Sequence, residues 1–106
     1  MKLDLRARGV RVTDKLKDHV ERRVHFALGR FGDKVRKVRV TLEDVNGPRG
    51  GVDTLCRIQA HLAPRGTLVI EETRLHAFSA VALAADRVGR TMRRRLERWG
   101  ARRRGR

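Results

Sequence analysis

On a helix turning about 100° per residue, Arg87, Arg90, Arg94 and Arg98 fall on one side, away from an apolar stripe of Val81, Ala85, Val88, Met92, Leu96 and Trp99. A guanidinium presents a planar fork of donors that meets two phosphate oxygens at once, which an ammonium cannot do. Ten of the residues from Arg87 to Arg106 are arginine (87, 90, 93, 94, 95, 98, 102, 103, 104 and 106), against the single acid Glu97. Upstream, Lys15, Arg22, Arg23 and Arg30 gather on one flank of another helical pattern, with Phe26 among them and Asp18 and Glu21 nearer its other edge. A charged helix face is ordinarily just a solvated one, its cations matched by acids three or four residues away. On the second helix those acids are almost absent, so its arginines are expected to lack internal partners and to await phosphates. The whole chain agrees: 27 Lys and Arg against 12 Asp and Glu give a net charge of +15. Such an imbalance repels itself and implies a polyanionic partner.

Catalytic chemistry is not apparent. His19, His25, His61 and His76 lie on different elements or different flanks and offer no metal-ligand spacing. Cys56 has core-facing parity on a strand, which suits a small buried hydrophobe better than a nucleophile, and one cysteine makes no internal disulfide. Glu71 and Glu72 are neighbours on a strand and must point to opposite faces, so they cannot share one proton-transfer site. Ser79 faces no base, and no glycine loop that would cradle a phosphate precedes a helix. No enzyme, cofactor or small-molecule substrate is expected. Base stacking has few candidates either, because Phe31 and Trp99 are assigned to the core and Phe26 is expected to pack against the other helix. Recognition by shape and phosphate position is therefore favoured.

These residues need elements to hold them. Leu3, Leu5 and Ala7 alternate through a first strand from Lys2 to Arg8. Thr13 then stands where a helix N-cap belongs, and Leu16, Val20, Val24, Ala27, Leu28 and Phe31 follow at helical spacing until the Gly29 to Gly32 region. Val38, Val40 and Leu42 alternate with Lys37, Arg39, Thr41 and Glu43 in a second strand. Gly47-Pro48-Arg49-Gly50 spells a GxxG, but it joins two strands, so it is read as a turn. A third strand, Val52 to Leu62, turns Cys56, Ile58, Ala60 and Leu62 inward, and a fourth, Thr67 to Glu72, does so with Leu68 and Ile70. The long second helix is predicted from about His76 to Trp99, with Gly100 as its stop.

The order β-α-β-β-β-α with two amphipathic helices implies a two-layer α+β sandwich, a four-stranded sheet with both helices on one face. Residues 1–100 form the expected single domain and 101–106 a disordered basic tail. The other sheet face, with Lys37, Arg39, Glu43, Arg57 and Gln59, is read as solvated. The longest apolar run, Ala80 to Ala85, falls far short of the roughly twenty residues that span a membrane, and the first residues carry no apolar signal core. A cytoplasmic, soluble protein without membrane contact is expected.

Residues Val10-Arg11-Val12-Thr13-Asp14-Lys15-Leu16-Lys17-Asp18-His19-Val20-Glu21-Arg22-Arg23, then Phe31-Gly32-Asp33, together with the order of elements, resemble the ribosome hibernation promoting factor family. That family is also called ribosome-associated inhibitor A or sigma-54 modulation protein. Its first helix typically reads Val-Thr-Glu-x-Leu-Arg-Asp-x-Val-Glu, and the likeness spans roughly residues 2 to 99 in a short, single-domain form. The chain departs from it at His76-Ala77-Phe78-Ser79-Ala80-Val81-Ala82, where the family has Asp-x-Tyr-Ala-Ala-Ile-Asp. Loss of the capping aspartate is expected to move the helix boundary toward Thr73.

The resemblance implies docking on the small ribosomal subunit and its ribosomal RNA, in the channel used by messenger and transfer RNA. Translation is thereby inhibited in dormancy or stress. Carried over by position, it points to Arg23 on the first helix and to Arg87, Arg90, Arg93 and Arg94 on the second; Arg22, Arg30 and Arg98 join them on charge geometry. The free protein is expected to be a monomer. Joint replacement of Arg87, Arg90 and Arg94 by Glu is expected to abolish binding. Two rivals use the same residues differently: a general nucleic-acid binder without ribosome selectivity, and a protein-interaction regulator working through the open sheet face.

Overall fold

The computed structural model describes residues 1–46 and 53–104. Five of the six expected elements are followed closely and the sixth runs longer: β1 (Lys2–Arg8), α1 (Asp14–Leu28), a 3-10 segment (Gly29–Lys34), β2 (Val35–Asp44), β3 (Thr54–Leu62), β4 (Thr67–Arg74) and α2 (Ala77–Arg104). The strands lie in the order β1-β2-β3-β4. β1 pairs with β2 in parallel, and β2, β3 and β4 form the antiparallel meander that tight turns require. Both helices cover one face, giving the α+β sandwich.

Pleating sorts each strand into two faces, and the pairing register assembles them into rows. Under the helices lie Leu3–Val38–Ala60–Leu68 and Leu5–Val40–Ile58–Ile70, then Ala7–Leu42–Cys56–Glu72. Leu16, Val20, Val24 and Leu28 of α1, with Ala80, Val81, Ala84, Ala85, Val88 and Met92 of α2, close this core from above. Each Val or Leu so buried contributes about 1.5–3 kcal/mol. Phe31, Leu96 and Trp99 are partly buried against the core's edge.

Thr13 caps α1 as its type predicts: the backbone N–H of Leu16 donates to its Oγ1 at 3.2 Å. α2 starts at Ala77, one residue from the expected His76, without the expected shift toward Thr73. Thr73 and Arg74 stay in β4, paired with Leu55 and Thr54, because β3 offers them a ladder to continue. The first helical hydrogen bond is then Ala80 N to His76 O at 3.0 Å. The end of α2 differs too. Gly100 does not stop the helix, which runs on to Arg104 through residues, Ala101 to Arg104, that are good helix formers. Val52 and the GxxG turn lie outside the described residues.

Between β3 and β4 the chain turns at Gly66, whose φ of +105° is open to glycine at little cost. The two helices approach most closely at Gly89 of α2, where a Cβ would stand 3.1 Å from the carbonyl oxygen of Ala27 in α1. The helices run parallel, since His19 meets Phe78, Arg23 meets Asp86 and Ala27 meets Gly89 in succession along both.

Candidate nucleic-acid interface

The parallel helices leave a furrow between them on the side away from the sheet, walled by Phe26 of α1, Arg30 of the 3-10 segment that follows it, and Asp86 and Arg90 of α2, with Ala27 and Gly89 at its floor. Arg30 is exposed and lies 4.9 Å over the ring of Phe31, a cation–π contact. Arg90 is exposed and has no carboxylate partner among the described residues. Phe26 does not pack against the other helix as expected; it is 84% exposed. At the crossing the residue turned toward α2 is Ala27, and Gly89 has no side chain with which to cover the neighbouring ring.

The predicted arginines do not form one uniform row. Arg23 is half-buried and donates to Asp86 Oδ1 at 3.3 Å and to the carbonyl of Ala82 at 3.5 Å, so it ties the helices together. Arg87 points toward β4, where it donates to the Glu71 carbonyl at 3.0 Å and pairs with the carboxylate of Glu72. Arg93 pairs with Glu97 one turn on, at 3.5 Å. The expectation that the arginines of α2 lack internal partners is therefore corrected for Arg87 and Arg93: Glu97 stands one turn along the same helix, and Glu72 reaches Arg87 from β4. Arg94 reaches only the hydroxyl of Thr91, at 3.4 Å. Arg22, Arg30, Arg90 and Arg98 have no carboxylate partner among the described residues, and these with Arg94 are the cations left for an external anion.

A second hollow joins the far part of α2 to the β3–β4 turn and is lined by Arg65, Gly66, Arg95, Arg98 and Trp99. Sequence reasoning omitted Arg65 and Arg95. Arg65 was absorbed into a turn signal, and Arg95 lies near the edge of the apolar stripe, from where its guanidinium extends to 3.9 Å from the space a Cβ on Gly66 would occupy. The signal available was the absence of an acid three or four residues from either position.

The open sheet face is different. Asp4 accepts from both Arg6 and Arg39 at 3.2 Å, Arg57 donates to Glu71 at 2.6 Å, and Arg8 lies 3.9 Å from Glu43. The hydrogen bond from Arg6, with the positive charges of Arg6 and Arg39, holds the Asp4 carboxyl below its ordinary range despite an opposing desolvation effect. Four of this face's arginines thus pair with its own acids. Nor do the groups considered for catalysis converge. Glu71 and Glu72 serve opposite faces, and burial pushes the Cys56 thiol up to about 12, far from a thiolate at neutral pH. His19 donates from Nε2 to the Phe78 carbonyl at 3.0 Å, and its ring lies 4.9 Å from that of Phe78.

Comparison with known structures places this geometry. The N-terminal domain of protein Y from Thermus thermophilus superposes with a TM-score of 0.73 at 25% identity, over 89% of this chain and 98% of that one. A ribosomal subunit interface protein from Coxiella burnetii gives a TM-score of 0.74 over 92% of this chain and 99% of its own; at 12% identity that likeness is one of fold. Comparison with curated protein sequences gives no match. The family model for sigma 54 modulation protein / S30EA ribosomal protein, however, matches residues 3–99, from the first strand through the last core residue of α2, and the chain belongs to that family.

Proposed function

We propose that this chain is a non-enzymatic RNA-binding protein that docks on the small ribosomal subunit through its two helices and occludes the channel for messenger and transfer RNA, inhibiting translation in dormant or stressed cells. The observation that carries the reading is the set of guanidinium groups without carboxylate partners, Arg22, Arg30, Arg90 and Arg98, on the helices of a chain whose family is described as ribosomal. The Coxiella burnetii protein of the same fold is a ribosomal subunit interface protein. Residues 1–100 are the ribosome-binding unit, and the basic residues that follow add charge to it. It acts in the cytoplasm, as a monomer when free, needs no cofactor, and no described helix is long and apolar enough to cross a membrane.

The test is co-sedimentation with isolated small and large subunits in excess duplex DNA. Saturable binding to the small subunit that survives the DNA is expected. The variant needs care: Arg87→Glu would set a second carboxylate against Glu72 and damage the fold, so Arg90, Arg94 and Arg98 are the positions to replace together by Glu. That variant is expected to melt like the parent and lose binding by at least a hundredfold, as three lost phosphate contacts imply. Unchanged binding by the folded variant removes the assignment of the interface. Loss of all binding to the DNA competitor makes the protein a general polyanion binder.

A further inference from the structure

Nothing in the fold accounts for Phe26. Its ring is 84% exposed, whereas Phe31 and Trp99 pack against the core and Phe78 is in contact with His19. A solvent-facing phenyl adds nothing to the sandwich and leaves its face free for a ligand. Its surroundings define the ligand's chemistry. Arg30 follows it by four residues, in the 3-10 segment after α1, and Arg90 faces it across a furrow floored by Ala27 and Gly89. The one acid there, Asp86, is already paired with Arg23 at 3.3 Å, so the furrow presents an aromatic face beside two guanidinium groups without a carboxylate.

We propose that the furrow between the helices takes an unpaired RNA nucleotide, its base stacked on Phe26 and its flanking phosphates held by Arg30 and Arg90. The site rests on the RNA-binding reading above and adds to it the kind of RNA: a single-stranded or extruded base, since a paired base within a duplex offers no free face. The small floor suits this use. With Gly89 at the crossing, the ring stands clear of α2, and no side chain competes for its outer face. A protein partner is the weaker fit, because Phe26 is the only large apolar group in the furrow and charged side chains surround it.

The experiment measures binding of the full chain to a fluorescent single-stranded RNA of mixed sequence, to a two-strand RNA duplex whose fully paired stem has no loop, and to small ribosomal subunits. The variants are Phe26→Ala, Phe26→Leu and Phe26→Tyr, with the Arg90, Arg94 and Arg98 triple replacement as a control. Because Phe26 is exposed, each variant is expected to melt like the parent. Ala and Leu are each expected to weaken single-strand binding about tenfold, Tyr to keep it, and the paired stem to bind all four alike. Full retention by Leu, or an equal loss on the paired stem, overturns stacking. A loss confined to ribosomal subunits, with naked RNA unaffected, puts a protein surface on Phe26 and overturns it as well. If Phe26→Ala is silent while the arginine control fails to bind, only the stacking site is wrong. If the control also binds normally, the RNA-binding reading itself is wrong.

Discussion

A single missing side chain sets the distance between the helices. At Gly89 a Cβ would lie 3.1 Å from the Ala27 carbonyl oxygen and 3.2 Å from the Ala27 Cβ, and neither is the movable end of a long side chain. Gly89→Ala therefore forces α1 and α2 apart by a few tenths of an ångström. Overpacking of this kind costs about 1–3 kcal/mol, and the better helix propensity of Ala returns about 1. A net loss of about 1 kcal/mol is expected, read as a fall of roughly 4–8 °C in melting temperature; an unchanged or higher Tm would show that the crossing yields without strain. The same contact explains which residues were legible in sequence. Core residues such as Val20, Ile58 and Val88 follow from periodicity, because burial repeats with the element. Phe26 does not, since its fate depended on what α2 presents opposite it, and periodicity within α1 carries no information about that. The partners of Arg23 and Arg87 were illegible for the same reason: Asp86 and Glu72 are distant from them in sequence.

Elements were more legible than contacts where their ends carry a chemical signal. Thr13 is the clear case: a β-conformation residue whose hydroxyl accepts from Leu16 N at 3.2 Å and whose carbonyl accepts from Lys17 N at 2.9 Å. Thr13→Ala removes only the side-chain half of this cap and is expected to destabilise the protein by about 1 kcal/mol. Asn or Asp at the same position should restore it; a Tm unmoved by Ala would mean that water replaces the hydroxyl without loss. Where the end signal was a glycine, it misled. Gly100 lies ahead of Ala and three arginines, all of which favour continuing the helix, and one glycine costs about 1 kcal/mol against Ala without forcing a stop. The helix start stays near His76 rather than shifting toward Thr73 for a related reason. Thr73 has the type of a cap, but it is also a good strand residue opposite Leu55, and the ladder holds it. Local type sets a preference, and the neighbouring element decides it.

Across the whole molecule, the net charge of +15 is divided unequally between two surfaces. On the open sheet face Asp4, Glu43 and Glu71 pair with arginines, whereas on the helices Arg22, Arg30, Arg90 and Arg98 remain without carboxylates among the described residues. Composition revealed the excess; only the sheet register could reveal that one face sets three acids among its cations. A salt series is then expected to move two properties in opposite directions. Added salt screens the repulsion among the unpaired cations, so Tm should rise between about 20 and 200 mM, by roughly 4–8 °C for each kcal/mol regained. Individual exposed ion pairs weaken over the same range, but each contributes only about 0–1 kcal/mol and cannot reverse the trend. RNA affinity should fall meanwhile, because each phosphate contact gives up the counterion entropy that drives it. For six to ten contacts the loss is roughly three to five decades between 50 and 200 mM salt. Melting curves and RNA titrations in the same buffers read both. A Tm that falls with salt would mean that the cations are held by internal partners after all, while an affinity that stays flat would mean that the complex is held by packing rather than by phosphates.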